Sequence, residues 1–210
     1  VWRRPLAARR ISAPLVAGDM VVVATSDGQA VALALADGAP RWRASLGGHF
    51  LAAPTLAGDL LIFGGDQGRI TAWRAASGAP AWEFSAPPDP AWGAQAPYSP
   101  VYADGLVYLT AWNNRCYALD AASGEVRQVS EPTKRPPLTP PALSEDALFF
   151  CAHDRFVYCL DRRDLGRRWR TQLPAASHTT PVLLDGRVYV GSGDHHVYAL
   201  DAADGRLHPQ

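Results

Sequence analysis

The sequence predicts an all-β protein, a β-propeller of about five four-stranded antiparallel blades. The first observation is an internal repeat. The stretches SAPLVAGD, AAPTLAGD, YSPVYADG, TPPALSED and TTPVLLDG align on Pro14, Pro54, Pro100, Pro141 and Pro181, spaced 40, 46, 41 and 40 residues apart. The second is that each proline is followed by the same series of short apolar strands and turns. The third is a tryptophan 28 residues beyond the proline, at Trp42, Trp82 and Trp169. A lone four-stranded sheet leaves one face wet, whereas sheets stacked radially cover one another, so a period of this length implies blades of one domain over residues 1–210.

Within each unit the elements follow in order. A short apolar strand after the proline reaches a turn such as Gly18-Asp19, Gly58-Asp59, Asp104-Gly105 or Asp185-Gly186. A strongly apolar second strand comes next: MVVVAT, LLIFGG, LVYLTA, ALFFCA and RVYVGS. The second turn falls at Asp27-Gly28, Gln67-Gly68, Asn113-Asn114, Asp154-Arg155 and Asp194-His195, several of which suit hairpins because Gly, Asn and Asp tolerate positive φ. The third strand alternates, most clearly in Cys116-Tyr117-Ala118-Leu119 and Val197-Tyr198-Ala199-Leu200. A third turn (ADGAP, ASGAP, ASGEV, RDLGR, ADGRL) leads to the fourth strand, which opens on the tryptophan, or on Gln128 in the third unit. The blades are expected over 12–46, 52–86, 98–130, 139–173 and 179–210. Competing architectures are a sandwich, which needs no such period, and an open stack of sheets.

The ends suggest how the ring would shut. The position 28 beyond Pro181 is Pro209, and Trp2 stands 12 residues before Pro14, as Trp42 stands 12 before Pro54. Residues 1–6 are therefore expected to be a fourth strand that completes the last blade and pairs both free edges. An open fragment completed by oligomerisation is the alternative. The chain starts with Val, which suggests a processed or excised piece.

The phrase ALDAASGEV and its relatives WRAASGAPAW and ALADGAPRW, with Trp four residues after Gly, resemble the tryptophan-docking repeat of PQQ-like propellers. That group includes quinoprotein dehydrogenases, a non-enzymatic outer-membrane assembly propeller and repeat domains found beside bacterial kinases. The resemblance covers almost the whole chain. It implies that Trp2, Trp42, Trp82 and Trp169 pack between blades, where a large flat ring fills the wedge between twisted sheets. It also implies an extracytoplasmic location, periplasmic or at the cell surface. The pattern weakens at Gln128 and in RDLGRRW, where the Gly is shifted by one. The features of the quinoprotein active site are missing. No two cysteines are adjacent, and the only Asn pair, Asn113-Asn114, falls on a hairpin turn.

Composition narrows the function classes. The chain has 210 residues, is 48% hydrophobic and 19% charged, and carries a formal net charge of 0, which gives no electrostatic reason to expect nucleic acid. No apolar run is long enough to span a membrane. Among the basic residues only Lys134 is lysine, a habit of GC-rich bacterial genomes. Cys116, Cys151 and Cys159 form no CxxC and suit small buried hydrophobes, with a bridge between Cys151 and Cys159 as the alternative. Acidic residues recur in every unit (Asp19, Asp59, Asp104, Asp120, Asp161, Asp201), which favours turn capping over catalysis. No nucleophile elbow, metalloprotease helix, P-loop or dinucleotide fingerprint occurs.

What departs from the repeat is the insertion PPDPAWGAQAPY, Pro87 to Tyr98. Trp92, Tyr98 and Trp112 are candidates for a binding surface at the propeller mouth, with His153 and His195 on neighbouring second turns. The expectation is a non-catalytic interaction or scaffold domain that binds a protein or peptide, with no cofactor, metal or catalytic residue. The alternative is a quinoprotein-like fragment that takes PQQ or a carbohydrate-like ligand in the central channel.

Overall fold

The computed structural model describes residues 1–50, 52–91 and 99–208. Among the described residues nineteen strands form five antiparallel sheets, each a meander in chain order. Blade I holds β1 (Leu15–Ala17), β2 (Met20–Ala24), β3 (Gln29–Ala34) and β4 (Pro40–Ser45); blade II holds β5 (Thr55–Ala57), β6 (Leu60–Gly64), β7 (Arg69–Arg74) and β8 (Pro80–Ser85). Blade III holds β9 (Val101–Ala103), β10 (Leu106–Ala111), β11 (Arg115–Asp120) and β12 (Val126–Val129). Blade IV holds β13 (Ala142–Leu143), β14 (Ala147–Cys151), β15 (Phe156–Asp161) and β16 (Arg167–Gln172). Blade V is three-stranded: β17 (Val182–Leu184), β18 (Arg187–Gly191) and β19 (Val197–Asp201).

The core lies between blades. Val22, Ala30 and Ala32 of blade I meet Leu61 and Phe63 of blade II, and Ile62, Ile70 and Ala72 of blade II meet Val107, Leu109 and Leu119 of blade III. Tyr108, Cys116 and Ala118 then meet Phe150, Tyr158 and Leu160, and Phe149, Val157 and Cys159 meet Val188, Val190 and Leu200. Because strand side chains alternate, each central strand feeds two cores, which is why these strands are apolar on both faces. All three cysteines are free and buried in these cores, and burial pushes the Cys151 and Cys159 thiols up to about 12. Cys151 lies opposite Val157 and Cys159 opposite Phe149, so no bridge joins them across the hairpin.

A β-bulge recurs between the third and fourth strands. Opposite Ala32/Leu33, Ala72/Trp73, Ala118/Leu119 and Cys159/Leu160 the register shifts by one, and the extra residue precedes Trp42, Trp82, Gln128 or Trp169. A bulge re-aims the next side chain, and here that side chain crosses to the following blade. The Trp42 indole N–H donates to Ala75 O at 2.8 Å, Trp82 to Ala121 O at 2.9 Å and Trp169 to Ala202 O at 3.0 Å. Each ring lies flat on the glycine three residues further along. A Cβ on Gly78, Gly124 or Gly205 would stand 2.5 to 2.6 Å from the ring, and all three glycines have positive φ. Trp2 makes the same contact with blade I, through Leu35 O at 2.9 Å and against Gly38.

Gln128 spans the interface of blades III and IV differently. Its side-chain amide donates to Arg163 O, and the place of the docking glycine belongs to Leu165, at φ 58 and 1% exposed. Without an indole above it, a side chain fits there.

The N-terminal segment does not pair with β19 among the described residues. Leu207 bridges Leu200 and the His208 N–H donates to Ala199 O, so the chain's own continuation takes the first fourth-strand place. Trp2 and Leu6 instead pack on Val23, Val31 and Leu33 of blade I.

The two rims of the propeller differ. One carries the first and third turns, where acids meet arginines: Arg41 with Asp19, Arg74 with Asp59, Arg127 with Asp120, and Arg168 with both Asp146 and Asp161. Three of these arginines are the bulge residues. Asp120 and Asp161 also accept from backbone N–H groups of their own turns. The Arg127 guanidinium and these N–H groups hold Asp120 at about 2, below the ordinary carboxylate value of 3.8. A carboxyl held low in the fold stabilises it above its unfolded pKa, and that contribution is lost as pH falls through 3.8 towards 2. The fall in melting temperature between pH 5 and pH 2 is accordingly expected to be smaller in Asp120→Asn than in the wild type; calorimetry at the two pH values checks this.

Candidate interaction rim

The opposite rim carries the second turns and the links between blades, since in an antiparallel meander these share one end of the sheet. Backbone bonds tie the two together: Asp66 N–H to His49 O, Thr133 N–H to Asn114 O, His153 N–H to Pro136 O and Gly193 N–H to Ala176 O. The second turns are tight because Gly28, Gly68, Asn114, Arg155 and His195 all take positive φ. In blades III, IV and V the turn residue just before that position is held by a tyrosine four residues on. Asn113 Nδ2 donates to the Tyr117 hydroxyl at 2.6 Å, Tyr158 donates to Asp154 at 2.6 Å, and Tyr198 donates to Asp194 at 2.5 Å. Burial and the Asp154 carboxylate push the Tyr158 phenol up to about 12. This clamp was not anticipated from the sequence, although the spacing Asn113/Tyr117, Asp154/Tyr158 and Asp194/Tyr198 carries the signal.

On this rigid frame stands a row of rings. The Trp112 and His153 centroids are 5.6 Å apart, edge to face, and His153 meets His178 at 6.1 Å and 88°. The row runs from the second turn of blade III across that of blade IV to the link entering blade V. Trp112 is half-buried, and both histidines are exposed. Partial burial, then the nearby His178 and Arg135, lower the His153 pKa from its ordinary 6.5.

The insertion begins on the same turn. Asn113 Nδ2 also donates to Pro87 O at 2.9 Å, and Asn114 Nδ2 donates to Asp89 at 2.8 Å. The Asn pair is thereby committed to anchoring the start of the insertion. Trp92 and Tyr98 lie outside the described residues. His195 sits at the left-handed position of its turn, exposed, and is not a ring neighbour of His153; His178 takes that place. His178 was not among the candidate surface residues because it lies in a link, where the repeat gives no register. Among the described residues no three His, Cys, Asp or Glu side chains are grouped to hold a metal.

The family model described as "Outer membrane protein assembly factor BamB" matches residues 1–164 and again 127–208. The chain belongs to the BamB family. No curated protein matches it by sequence. Among solved structures, BamB from Moraxella catarrhalis superposes with a TM-score of 0.76 at 22% identity, over 90% of this chain and 57% of that one. The computationally designed protein Ika8 gives a TM-score of 0.76 at 17% identity, with the same coverage of each chain. At such identities the likeness to BamB and to Ika8 is one of fold. The chain spans a little over half the length of these structures.

Proposed function

We propose that this BamB-family chain is a non-catalytic interaction scaffold whose partner is a protein or peptide, bound at the rim of Trp112, His153 and His178. The single observation that carries this reading is that row of rings, 5.6 and 6.1 Å apart, with Trp112 and His153 on the clamped second turns of blades III and IV and His178 on the link entering blade V. An aromatic anchor with hydrogen-bonding rings beside it suits a polypeptide, because aromatic side chains concentrate binding energy at interfaces. The start of the insertion, Pro87 and Asp89, is bonded to the turn beside Trp112, which supports the proposed binding role of Trp92 and Tyr98. The family description, an outer-membrane assembly factor, supports an extracytoplasmic setting. A phosphatase fusion to the full gene product, active only outside the cytoplasm, tests that setting.

The rim itself is tested by selecting peptides from a displayed library on the wild-type chain. Trp112→Ala with His153→Ala is expected to weaken the selected peptides at least about tenfold, ~1.4 kcal/mol, the loss typical of truncating a hot-spot aromatic. Peptides that bind the double variant as tightly would refute the rim as the surface. PQQ with Ca²⁺ is expected to leave the melting temperature unchanged, and a rise would favour the quinoprotein reading instead.

A further inference from the structure

The rim of Trp112, His153 and His178 carries a local charge that the chain as a whole does not. Formal net charge is 0, and on the opposite rim the arginines meet acids: Arg41 with Asp19, Arg74 with Asp59, Arg127 with Asp120, and Arg168 with Asp146 and Asp161. Around the row of rings the balance is different. The link from blade III to blade IV is pinned by two backbone bonds, from the Thr133 N–H to Asn114 O and from the His153 N–H to Pro136 O. Between them stand Lys134 and Arg135, both exposed. Two cations thus lie between the turns that carry Trp112 and His153.

The aspartates of this sector are held by its own frame. Asp154 accepts from the Tyr158 hydroxyl at 2.6 Å and the Phe156 N–H at 3.2 Å, and Asp194 from the Tyr198 hydroxyl at 2.5 Å and the His196 N–H at 3.3 Å. Asp89 accepts from Asn114 Nδ2 and from the Ala91 N–H, both at 2.8 Å. Glu131 stands exposed at the start of the link. Among the described residues neither the His153 nor the His178 ring bonds to a carboxylate; they meet each other and Trp112. Partial burial is the first cause that lowers the His153 pKa, and among the charges those of His178 and Arg135 outweigh Asp154, which raises it. The potential at this ring is positive.

We propose that the polypeptide bound here is acidic at the contact: an Asp or Glu side chain sets its carboxylate on the rings of His153 and His178, beside Lys134 and Arg135, while a neighbouring apolar residue packs on Trp112. This rests on the reading of the rim as the binding surface and adds the chemistry of what it binds. Ring centres 6.1 Å apart lie within the span of one carboxylate, whose two oxygens each accept a hydrogen bond of about 2.8 Å. The like charge of Lys134 and Arg135 disfavours a basic segment at the same place. With no net charge on the chain, the attraction is local and acts at contact.

Selection from a random peptide library on the wild-type chain is expected to enrich Asp and Glu next to an apolar or aromatic residue. Replacing the enriched acid by its amide is expected to weaken binding about tenfold, the scale of hydrogen bonds to a charged group. The same replacement is expected to make little difference against a His153→Gln, His178→Gln variant, whose melting temperature checks its fold. Binding is expected to be tighter at about pH 6 than at about pH 8, because a carboxylate beside His153 favours the protonated ring, as Asp154 does, against the opposing charges of His178 and Arg135. Selected peptides that lose affinity on Trp112→Ala but keep it when their acids become amides would overturn the acidic partner and leave the rim standing as the binding surface. Peptides indifferent both to Trp112→Ala and to the histidine variant would overturn the two together. A histidine variant that still responds in full to loss of the acid would place the carboxylate elsewhere and also overturn the proposal.

Discussion

Gly124→Leu is expected to lower stability by about 3 kcal/mol, and combining it with Trp82→Gln is expected to cost less than the sum of the two single losses. Gly124 has φ +76, and a Cβ there would stand 2.6 Å from the Trp82 ring. A leucine pays roughly 1–2 kcal/mol for the left-handed backbone and about 1–3 kcal/mol for forcing a packed ring aside. The fold already contains the relaxed form of the pair. Between blades III and IV the ring is replaced by Gln128 and the glycine by Leu165, which is 1% exposed at φ 58. Trp82→Gln alone loses ring burial and the bond to Ala121 O, a cost of about 3 kcal/mol at the low end for a large aromatic, since the ring is only partly buried. The double variant should therefore be more stable than the sum of the singles by roughly 1–3 kcal/mol, the range for residues in direct contact. Urea denaturation of the four proteins gives this coupling. Additive losses would mean that Leu165 follows from something other than the missing ring.

The contrast between these pairs shows what the sequence makes legible. The five-fold period, the apolar central strands and the tryptophan position are all patterns within one unit, and reading the repeat recovers them. Gln128 stands out as a departure, and so does the shifted glycine of RDLGRRW. That Gln128 and the Leu165 turn face each other is invisible along the chain, because they lie 37 residues apart in sequence and come together only when blade III stacks on blade IV. The bulges are hidden for another reason. A register shift at Ala32/Leu33 depends on how two strands pair, and pattern reports only which face a residue shares. At the rim, Trp112 and His153 are legible because they break the repeat, whereas His178 lies in a link whose path is set by tertiary structure. The expected pairing of residues 1–6 with the last blade followed from spacing alone. Trp2 does sit in a docking place, yet β19 receives Leu207 and His208 instead.

Arg162 is the second consequence of the missing tryptophan, and Arg162→Met is expected to cost about 2–3 kcal/mol. Arg162 holds the position whose equivalents in the tryptophan-docked blades, Ala75, Ala121 and Ala202, receive the indole N–H. It is only 8% exposed, and its Nη1 donates to Ser144 O and Glu145 O, both at 2.8 Å. Its Nη2 donates to Asp104 of blade III at 2.7 Å, and its guanidinium lies 5.3 Å from the centre of the Tyr108 ring, also of blade III. The charge thus reaches across the interface that lacks an indole. Hydrogen bonds from a charged group each contribute roughly 1.5–3 kcal/mol, and methionine preserves much of the packing while leaving the two carbonyls without their donor. Asp104→Asn should cost less than about 1 kcal/mol, because the Asp104 side chain is 82% exposed and solvent screens its ion pair. The ratio of the two losses, measured by chemical denaturation, separates the buried bonds from the salt bridge. In a Gln128→Trp, Leu165→Gly background the loss from Arg162→Met should shrink, since an indole N–H can then bond at that interface. A loss from Arg162→Met no larger than that from Asp104→Asn would mean that the two carbonyl bonds, both within blade IV, add little to stability.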